Sequence, residues 1–312
     1  MNKINFPRKG LDGKIYSQTE IENWYWKQIE NVLKRKPNNF KFENKEKLVF
    51  LYIKRNLKKI VLANPYLQKR YISVVDQRYN NLFFKYNKLT SYGFQILKYF
   101  SYSEIRNSIL VGLAKKINIK TCIYCNANYT LVIENQETSK ALFEYDHFFP
   151  KNKYPFLSIS LYNLIPSCSS CNLLKSSKSL SFDLHPYIFD ISSLFKFVVK
   201  DPLNLWLKNN QQNVTIDILP SQVEYSDLVK ELCKSFKLKE TYERHKDIVQ
   251  EVFTKVYLKS YYGNPNNFPF LKNKEISAKR LLLGNYESPL EIELRPLSKF
   301  IQDIWQQANN EE

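Results

Sequence analysis

The sequence has no run of about 18 uncharged apolar residues, which is the length that a membrane-spanning helix requires. The N-terminal stretch from Met1 to Gly13 carries basic residues but no apolar segment of signal-peptide length. Internal repeats and low-complexity linkers are absent as well. We therefore expect a globular protein that makes no membrane contact and resides in the cytoplasm.

Cysteine is scarce, with five residues in a chain of 312. Five thiols in a reducing compartment are poor material for a disulfide framework. Four of them form two CxxC pairs, which indicates a metal site instead. The fifth, Cys233, is expected to be a buried thiol.

Apolar residues make up 44% of the chain and aromatic residues 15%, which excludes a disordered protein. The length allows one large domain or two to three ordinary ones. The net charge of +17 is unevenly placed: residues 1–50 contribute +5, residues 51–120 contribute +12, and residues 121–312 are balanced. Such an asymmetry suits a polyanionic partner, with nucleic acid as the leading candidate. A basic solvated surface without a partner is the alternative.

Helical periodicity dominates the first 120 residues. Ser17 and Glu20 form a capping-box pattern before a helix that should stop ahead of Pro37. Similar patterns predict helices over about 45–62 and 66–84, and over 102–116 after a second capping box at Ser101 and Glu104.

The pattern becomes β-prone after residue 121. A hairpin is predicted from Tyr129–Glu134 and Ala141–Phe149, and a second strand pair from Leu194–Val199 and Val214–Leu219. Helices are predicted from Ser169 onward and over about 225–262 and 293–308. We therefore predict an α+β protein with a basic helical region (1–120), a small metal-stabilised core (121–190) and a mostly helical C-terminal region with one strand pair (191–312).

The two CxxC pairs are Cys122 with Cys125 and Cys168 with Cys171. Four thiolates in two pairs suit a tetrahedral zinc ion, and a closed shell of four cysteines predicts a structural rather than a catalytic metal. The ion would hold together an intervening segment that is too short to bury a large core of its own.

Between and after these cysteines the chain reads Tyr-Asp-His-Phe-Phe-Pro-Lys (145–151), Tyr-Asn-Leu-Ile-Pro-Ser-Cys (162–168) and Cys-Asn-Leu-Leu-Lys (171–175). These strings resemble the cysteine-containing HNH endonucleases, whose ββα-metal core is bracketed by a zinc-binding pair of CxxC motifs. The resemblance covers about 60 residues, and order, spacing and flanking residues agree together.

The resemblance implies a role for each polar residue of the motif. His147 would accept a proton from water, Asp146 and Asn172 would bind one Mg²⁺ or Mn²⁺ ion, and Asn163 would orient the loop after His147. Many HNH members carry histidine where this chain has Asn172, which puts the preferred metal in doubt more than the activity. Lys175 could meet a phosphate oxygen, and the nucleic-acid contacts would extend to the basic surface of the second helix, which comprises Lys54, Arg55, Lys58 and Lys59.

A weaker resemblance lies near the C-terminus, in Leu281–Ser288 and Arg295–Ile304. These segments are similar to the tails of larger HNH proteins of bacterial anti-phage defence, including the nucleases that are paired with an ATPase in Septu-type systems. The resemblance implies a DNA endonuclease with an ATPase partner. The terminal helix could pack on the core or dock on a partner, and packing is the default.

Each motif residue also has a structural interpretation. An Asp-His pair at a strand end is usually a hydrogen-bonded structural pair, Asn163 could cap a turn, and Asn172 could be an ordinary residue of a helix N-terminus. His185 could be a further ligand, although a structural role is favoured, and His245 is expected at the surface. Two alternative functions therefore stay open: a zinc-stabilised nucleic-acid-binding protein without an active site, and a regulatory subunit that meets an acidic protein.

Overall fold

The computed structural model describes residues 2–35, 40, 42, 44–79, 81–135, 138–200, 202, 214–259 and 277–309. The chain divides into two compact units. The first, here the N-terminal unit, comprises Ile4–Ile119 and Thr130–Ile188. The second, the C-terminal unit, comprises Met1–Lys3, Lys120–Tyr129 and Phe189–Glu312.

The helices of the N-terminal unit follow the apolar periodicity of its sequence. The capping box at Ser17 and Glu20 is formed, and Asn64 caps the helix that begins at Pro65. The first helix buries Ile21, Tyr25, Ile29 and Leu33 along one face. The helices span Gln18–Lys34, Asn44–Arg55, Leu57–Val61, Pro65–Arg78, Ser91–Phe100, Tyr102–Asn107, Ile109–Ile117 and Ser169–Lys175.

The prediction of a capping box at Ser101 is wrong. This residue ends the preceding helix in the left-handed conformation (φ 46°), and its hydroxyl donates to the carbonyl of Lys98 rather than accepting from Glu104. The predicted helices over 45–62 and 102–116 are each divided, at Asn56 and at Ser108. The predicted stop ahead of Pro37 lies at the edge of the described residues, with the helix ending at Lys34.

The strands of the N-terminal unit pair differently from the predicted hairpin. Val132–Glu134 pairs with the short strand Ser139–Ala141. Glu144–His147 forms a separate antiparallel pair with Leu164–Ser167, with Asp146 opposite Ile165 and His147 opposite Leu164. Two short two-stranded pairs also lie in this unit, Arg8–Lys9 with Ile15–Tyr16 and Phe84–Lys85 with Lys88–Leu89.

In the C-terminal unit, Phe195–Lys200 pairs antiparallel with Thr215–Pro220, as predicted. The predicted helix over 225–262 is divided at Lys237 and at Glu243–His245. Its residues 260–262 and the connection over 208–213 lie outside the described residues. The terminal helix packs on the first of these strands: Asp303 accepts a hydrogen bond from the Phe197 amide at 2.9 Å, and Trp305 is buried. The terminal helix therefore packs within its own unit, as the default interpretation predicted. The helices span Ser226–Phe236, Leu238–Tyr242, Lys246–Tyr257, Ala278–Leu283 and Ser298–Ala308.

The described residues thus contain both helices and antiparallel strands, which confirms the mixed composition of the predicted class. Within those residues, no helix combines the length and the apolar character that crossing a bilayer demands.

Candidate active site and metal centre

The candidate active site is built on one strand and one helix of the N-terminal unit. Glu144 and Asp146 are two residues apart on the strand Glu144–His147, so their side chains project from the same face. Asn172 and Lys175 are three residues apart on the helix Ser169–Lys175, so they share one side of it. The two pairs meet: Asn172 donates a hydrogen bond to the carboxylate of Glu144, and Lys175 contacts the carboxylate of Asp146.

Asp146 and Lys175 form a buried ion pair. The Lys175 Nζ atom lies 3.0 and 3.2 Å from the two carboxylate oxygens and donates a hydrogen bond of 2.7 Å to the carbonyl of His147. The side chain of Lys175 is fully buried, and burial lowers its pKa. The sequence pattern had suggested that Lys175 contacts a phosphate oxygen. In the structure its ammonium group instead contacts oxygens of the protein.

His147 is buried at the end of the strand. Its Nε2 atom lies 2.9 Å from the carbonyl oxygen of Ser158, and the ring of Tyr102 covers it at 4.7 Å between ring centroids. Because the carbonyl can only accept, the neutral ring is assigned with its proton on Nε2, which leaves the lone pair on Nδ1. Burial is the main cause that lowers the pKa of His147 to about 3, with smaller contributions from Lys151 and Lys175. The ring is therefore neutral at pH 7 with a free lone pair on Nδ1, although the same burial makes it a weaker base than an exposed histidine.

Asn163 is fully buried beside the loop that follows His147. Its side-chain oxygen accepts from the Phe149 amide at 2.7 Å, and its amide group donates to the carbonyls of Phe149 at 3.1 Å and Leu157 at 3.0 Å. The backbone of Phe148 donates to the Asn163 carbonyl at 3.0 Å. All three polar positions of the side chain are used on one loop, whose path is thereby held.

Glu144 was not among the residues that the sequence pattern singled out. It is half-buried and contacts both Asn172 and, at 3.4 Å, the guanidinium of Arg106. The available signal was the i, i+2 spacing from Asp146, which places two carboxylates on one face of a strand. Arg106 belongs to no sequence motif. Only the fold brings its helix close to the strand Glu144–His147.

Most of these side chains, though not those of Asn163 and Lys175, line one open pocket of about 200 Å³ within the N-terminal unit. The pocket is polar, and it collects the candidate base, the candidate metal ligands and three further charged residues. Its lining consists of Tyr102, Arg106, Glu144, Tyr145, Asp146, His147, Pro150, Lys151, Asn152, Asn172, Ser176 and Ser177.

The four cysteines of the CxxC pairs form a buried cluster. Their Sγ atoms all lie within 4.8 Å of one another. A tetrahedral zinc ion with Zn–S bonds of about 2.3 Å holds its sulfurs roughly 3.8 Å apart, so the cluster matches four-sulfur coordination after small side-chain adjustments. None of the five cysteines, all of which are described, forms a disulfide. The cluster can therefore bind a metal ion, as predicted.

Backbone amides support the same interpretation of the cluster. The Cys125 sulfur accepts from the Ala127 amide at 3.4 Å, and the Cys168 sulfur accepts from the Cys171 amide at 3.5 Å. Hydrogen bonds of this kind favour the thiolate, which is the form that binds metal. The hydroxyl of Tyr242 additionally donates to the backbone carbonyl of Cys125 at 2.7 Å and holds the chain in place at the first CxxC pair.

The predicted nucleic-acid contacts lie at the junction of the helices Asn44–Arg55 and Leu57–Val61. Lys54, Arg55 and Lys58 line an open groove of about 440 Å³ in the N-terminal unit, together with Lys34 and the aromatic ring of Trp26. Lys59 is exposed on the second of these helices but is not part of the groove.

The remaining candidates have structural surroundings. His185 is fully buried against the ring of Phe148, its Nδ1 accepts from the Tyr187 amide at 3.3 Å, and its Nε2 has no hydrogen-bond partner among the described residues. Burial lowers its pKa to about 3. His245 is half-exposed, as is Cys233, whose pKa is raised to about 11 by burial. The expectation of a buried Cys233 was therefore only partly met.

Comparison with known proteins gives one informative similarity. A stretch of 64 residues is 41% identical to the Septu protein PtuB of Bacillus thuringiensis. The match covers 20% of this chain and 22% of that protein, so the chain spans about a fifth of its relative's length. No protein-family model matches the chain, and no solved structure matches it.

Proposed function

We propose that this protein is a divalent-metal-dependent endonuclease of the HNH kind, which hydrolyses DNA phosphodiester bonds in anti-phage defence together with an ATPase partner. The observation that carries the proposal is the meeting of Asp146, His147 and Asn172 in one pocket, on the first strand and the helix of a strand–strand–helix succession. The resemblance to HNH nucleases predicts this order of elements. The similarity to a Septu protein supports the defence context.

Each residue would contribute a distinct chemical capacity. The neutral imidazole of His147 takes a proton from a water molecule through Nδ1, because Nε2 is engaged by the Ser158 carbonyl. Asn163 holds the loop between His147 and Ser158 in place. The oxygens of Asp146 and Asn172 would hold the divalent ion, with Glu144 beside them. A bound Mg²⁺ or Mn²⁺ ion supplies positive charge that stabilises the phosphate oxygens during hydrolysis.

One observation favours a second candidate, a zinc-stabilised nucleic-acid-binding protein without catalysis. Lys175 already neutralises the Asp146 carboxylate. Such a pairing is expected in a pocket where no divalent ion has to balance that charge. The basic groove beside Trp26 provides the binding surface that this candidate requires. Measured affinity of the zinc-loaded protein for Mn²⁺, with and without Asp146→Asn, separates the two functions.

Plasmid cleavage tests the proposal directly. Wild type, His147→Ala and the matched control His245→Ala are assayed with Mg²⁺ or Mn²⁺, and zinc content is determined on all three. We expect cutting by wild type and by the control, and loss of cutting by at least about 100-fold in His147→Ala with zinc retained. Equal cutting by His147→Ala would refute the mechanism, and DNA binding without cutting by any protein would favour the second candidate.

The defence role has a separate test in cells. The chain is expressed with and without a candidate ATPase partner, and phage plaques are counted. Protection should require both proteins and should disappear with His147→Ala. Full protection by His147→Ala would favour a regulatory role over a catalytic one.

A further inference from the structure

The pocket has two chemically different walls. Glu144, Asp146 and Asn172 supply oxygen atoms on one side. Arg106 and Lys151 bring two cations to the same pocket from outside the strand and helix that carry those oxygens. Arg106 lies outside the motif, on the helix Tyr102–Asn107. Lys151 ends the first motif string, in the loop after His147, but the resemblance assigned it no role.

Tyr102 places Lys151 at the pocket. It lies one helical turn before Arg106, so both residues face the same direction. Its hydroxyl donates to the Tyr145 carbonyl at 3.4 Å, its ring covers His147, and the ammonium of Lys151 sits 4.6 Å from the ring centroid. The cation is thus held over an aromatic face beside the candidate base rather than extended into solvent.

The two cations stand close enough to influence each other. The pKa of Lys151 is lowered first by burial and then by the charge of Arg106, while the Glu144 carboxylate acts in the opposite direction. Among the described residues, no carboxylate forms an ion pair with Lys151 within 4.0 Å, whereas Arg106 contacts Glu144 at 3.4 Å. Two cations gathered in one partly buried pocket repel each other, and a bound anion would remove that cost.

The charge balance of the pocket points the same way. The lining holds two cations (Arg106 and Lys151) and two carboxylates (Glu144 and Asp146). Asp146 is already paired with the buried Lys175, which lies outside the lining, and Glu144 is paired with Arg106, so the charge of Lys151 is left over. An arginine offers a planar set of donors that matches two phosphate oxygens, and a lysine offers a point charge.

From this geometry we infer that Arg106 and Lys151 form a phosphodiester-binding subsite, which holds the substrate phosphate between the Tyr102 face and the oxygen-bearing wall. The inference rests on the proposed function for the identity of the substrate. It assigns to the basic helical region a direct contact with the reacting phosphate, through Arg106, in addition to any surface that binds DNA more remotely.

Two measurements on the full-length, zinc-loaded chain test the subsite. The first is the ³¹P line width of inorganic phosphate without added Mg²⁺ or Mn²⁺, which reports anion binding without turnover. The second is hydrolysis of bis(4-nitrophenyl) phosphate with Mn²⁺, a substrate small enough to report on the pocket alone. The variants are Arg106→Gln, Lys151→Gln and Lys151→Arg, and the matched control is Lys98→Gln, an exposed cation of the same unit that lies outside the pocket.

We expect Arg106→Gln and Lys151→Gln to lose most of the phosphate broadening and to raise KM about tenfold or more, since each removes a charged hydrogen-bond donor. Lys151→Arg should retain part of both, and Lys98→Gln should match wild type. A Glu144→Gln variant breaks the ion pair with Arg106 but keeps the cation, so it should keep the broadening. This result would show that the cation itself, rather than its ion pair, binds phosphate.

The outcomes also separate this inference from the proposed function. Charge-dependent broadening with no hydrolysis by any protein would support the anion subsite while the nuclease proposal fails. Hydrolysis by wild type with unchanged KM and unchanged broadening in both neutral variants would overturn the subsite while the nuclease proposal stands. Zinc content and a melting curve on each variant confirm that the fold is kept.

Discussion

The ammonium group of Lys175 lies 3.0 Å from a carboxylate oxygen of Asp146, with both side chains almost completely buried. The lysine also donates to the carbonyl of His147, so one side chain connects the candidate metal ligand with the backbone of the candidate base. A buried ion pair of this kind contributes little net stability, but removal of one partner leaves an uncompensated charge.

Lys175→Met should therefore destabilise the protein by about 3–5 kcal/mol. The double variant Lys175→Met with Asp146→Asn should recover much of that loss, because it removes the second charge as well. Urea denaturation followed by circular dichroism measures both. Lys178→Met serves as the control, since Lys178 is exposed three residues further along the chain and should change stability by less than about 0.5 kcal/mol.

Removal of a cluster thiol should release zinc. Cys171→Ser leaves three thiolates, and we expect the purified variant to lose its zinc and to unfold at a lower temperature, because a structural zinc site contributes folding energy outright. Metal analysis and calorimetry are the measurements, with Cys233→Ser as the control outside the cluster. Full zinc occupancy in Cys171→Ser would contradict the four-cysteine assignment.

Acid should weaken the fold through His185. Its folded pKa of about 3 lies below the ordinary value of 6.5, so the unfolded chain takes up the proton first as pH falls. The contribution to stability is complete above pH 6.5 and is lost progressively towards pH 3, with a slope of up to about 1.4 kcal/mol per pH unit.

His185→Phe places a ring that cannot titrate against Phe148. It should make the stability profile between pH 6 and 4 shallower but not flat, because burial lowers the pKa of His147 to about 3 as well. Chemical denaturation at several pH values measures the slope, and His245→Phe provides the comparison. If His185→Phe and wild type lose stability in parallel, the buried histidine is not the group responsible.

Loss of the Asn163 side chain should loosen the loop after His147. Asn163→Ala removes three hydrogen bonds and leaves the buried amide and carbonyls of the loop without partners, which costs about 1–3 kcal/mol for each group left unsatisfied. We expect lower stability, faster amide exchange in residues 148–157, and a lower kcat with zinc retained. Unchanged exchange in that loop would argue against a positioning role.

The basic groove should control the salt dependence of DNA binding. Each lost phosphate contact reduces the slope of log affinity against log salt by about 0.9, so the double variant Lys54→Ala and Lys58→Ala should lower it by up to about 1.8. Fluorescence anisotropy with a labelled duplex at several salt concentrations gives the slope. Lys230→Ala, an exposed lysine of the C-terminal unit, should leave the slope unaltered.

Local patterns predicted local structure well. The helix after Ser17, the strand pair after residue 194 and the helix from Ser169 were all predicted, because caps and apolar periodicity act within a few residues. The failure of the second predicted capping box was also local in origin. Ser101 has the residue type of a helix N-cap. It instead lies at the C-terminal end of the preceding helix, where its backbone takes the left-handed conformation.

The sequence by itself singled out the candidate residues for the chemistry: four cysteines in two pairs, and an Asp-His-Asn set between and after them. Residue type and spacing suffice for this, since metal coordination and proton transfer need particular atoms. Only the tertiary structure decided that Lys175 faces Asp146, that Glu144 faces Asn172, and that Arg106 joins Lys151 in the pocket. These relationships depend on how a strand packs against a helix and on which distant helix covers the pocket, and no short-range pattern in the chain encodes that packing.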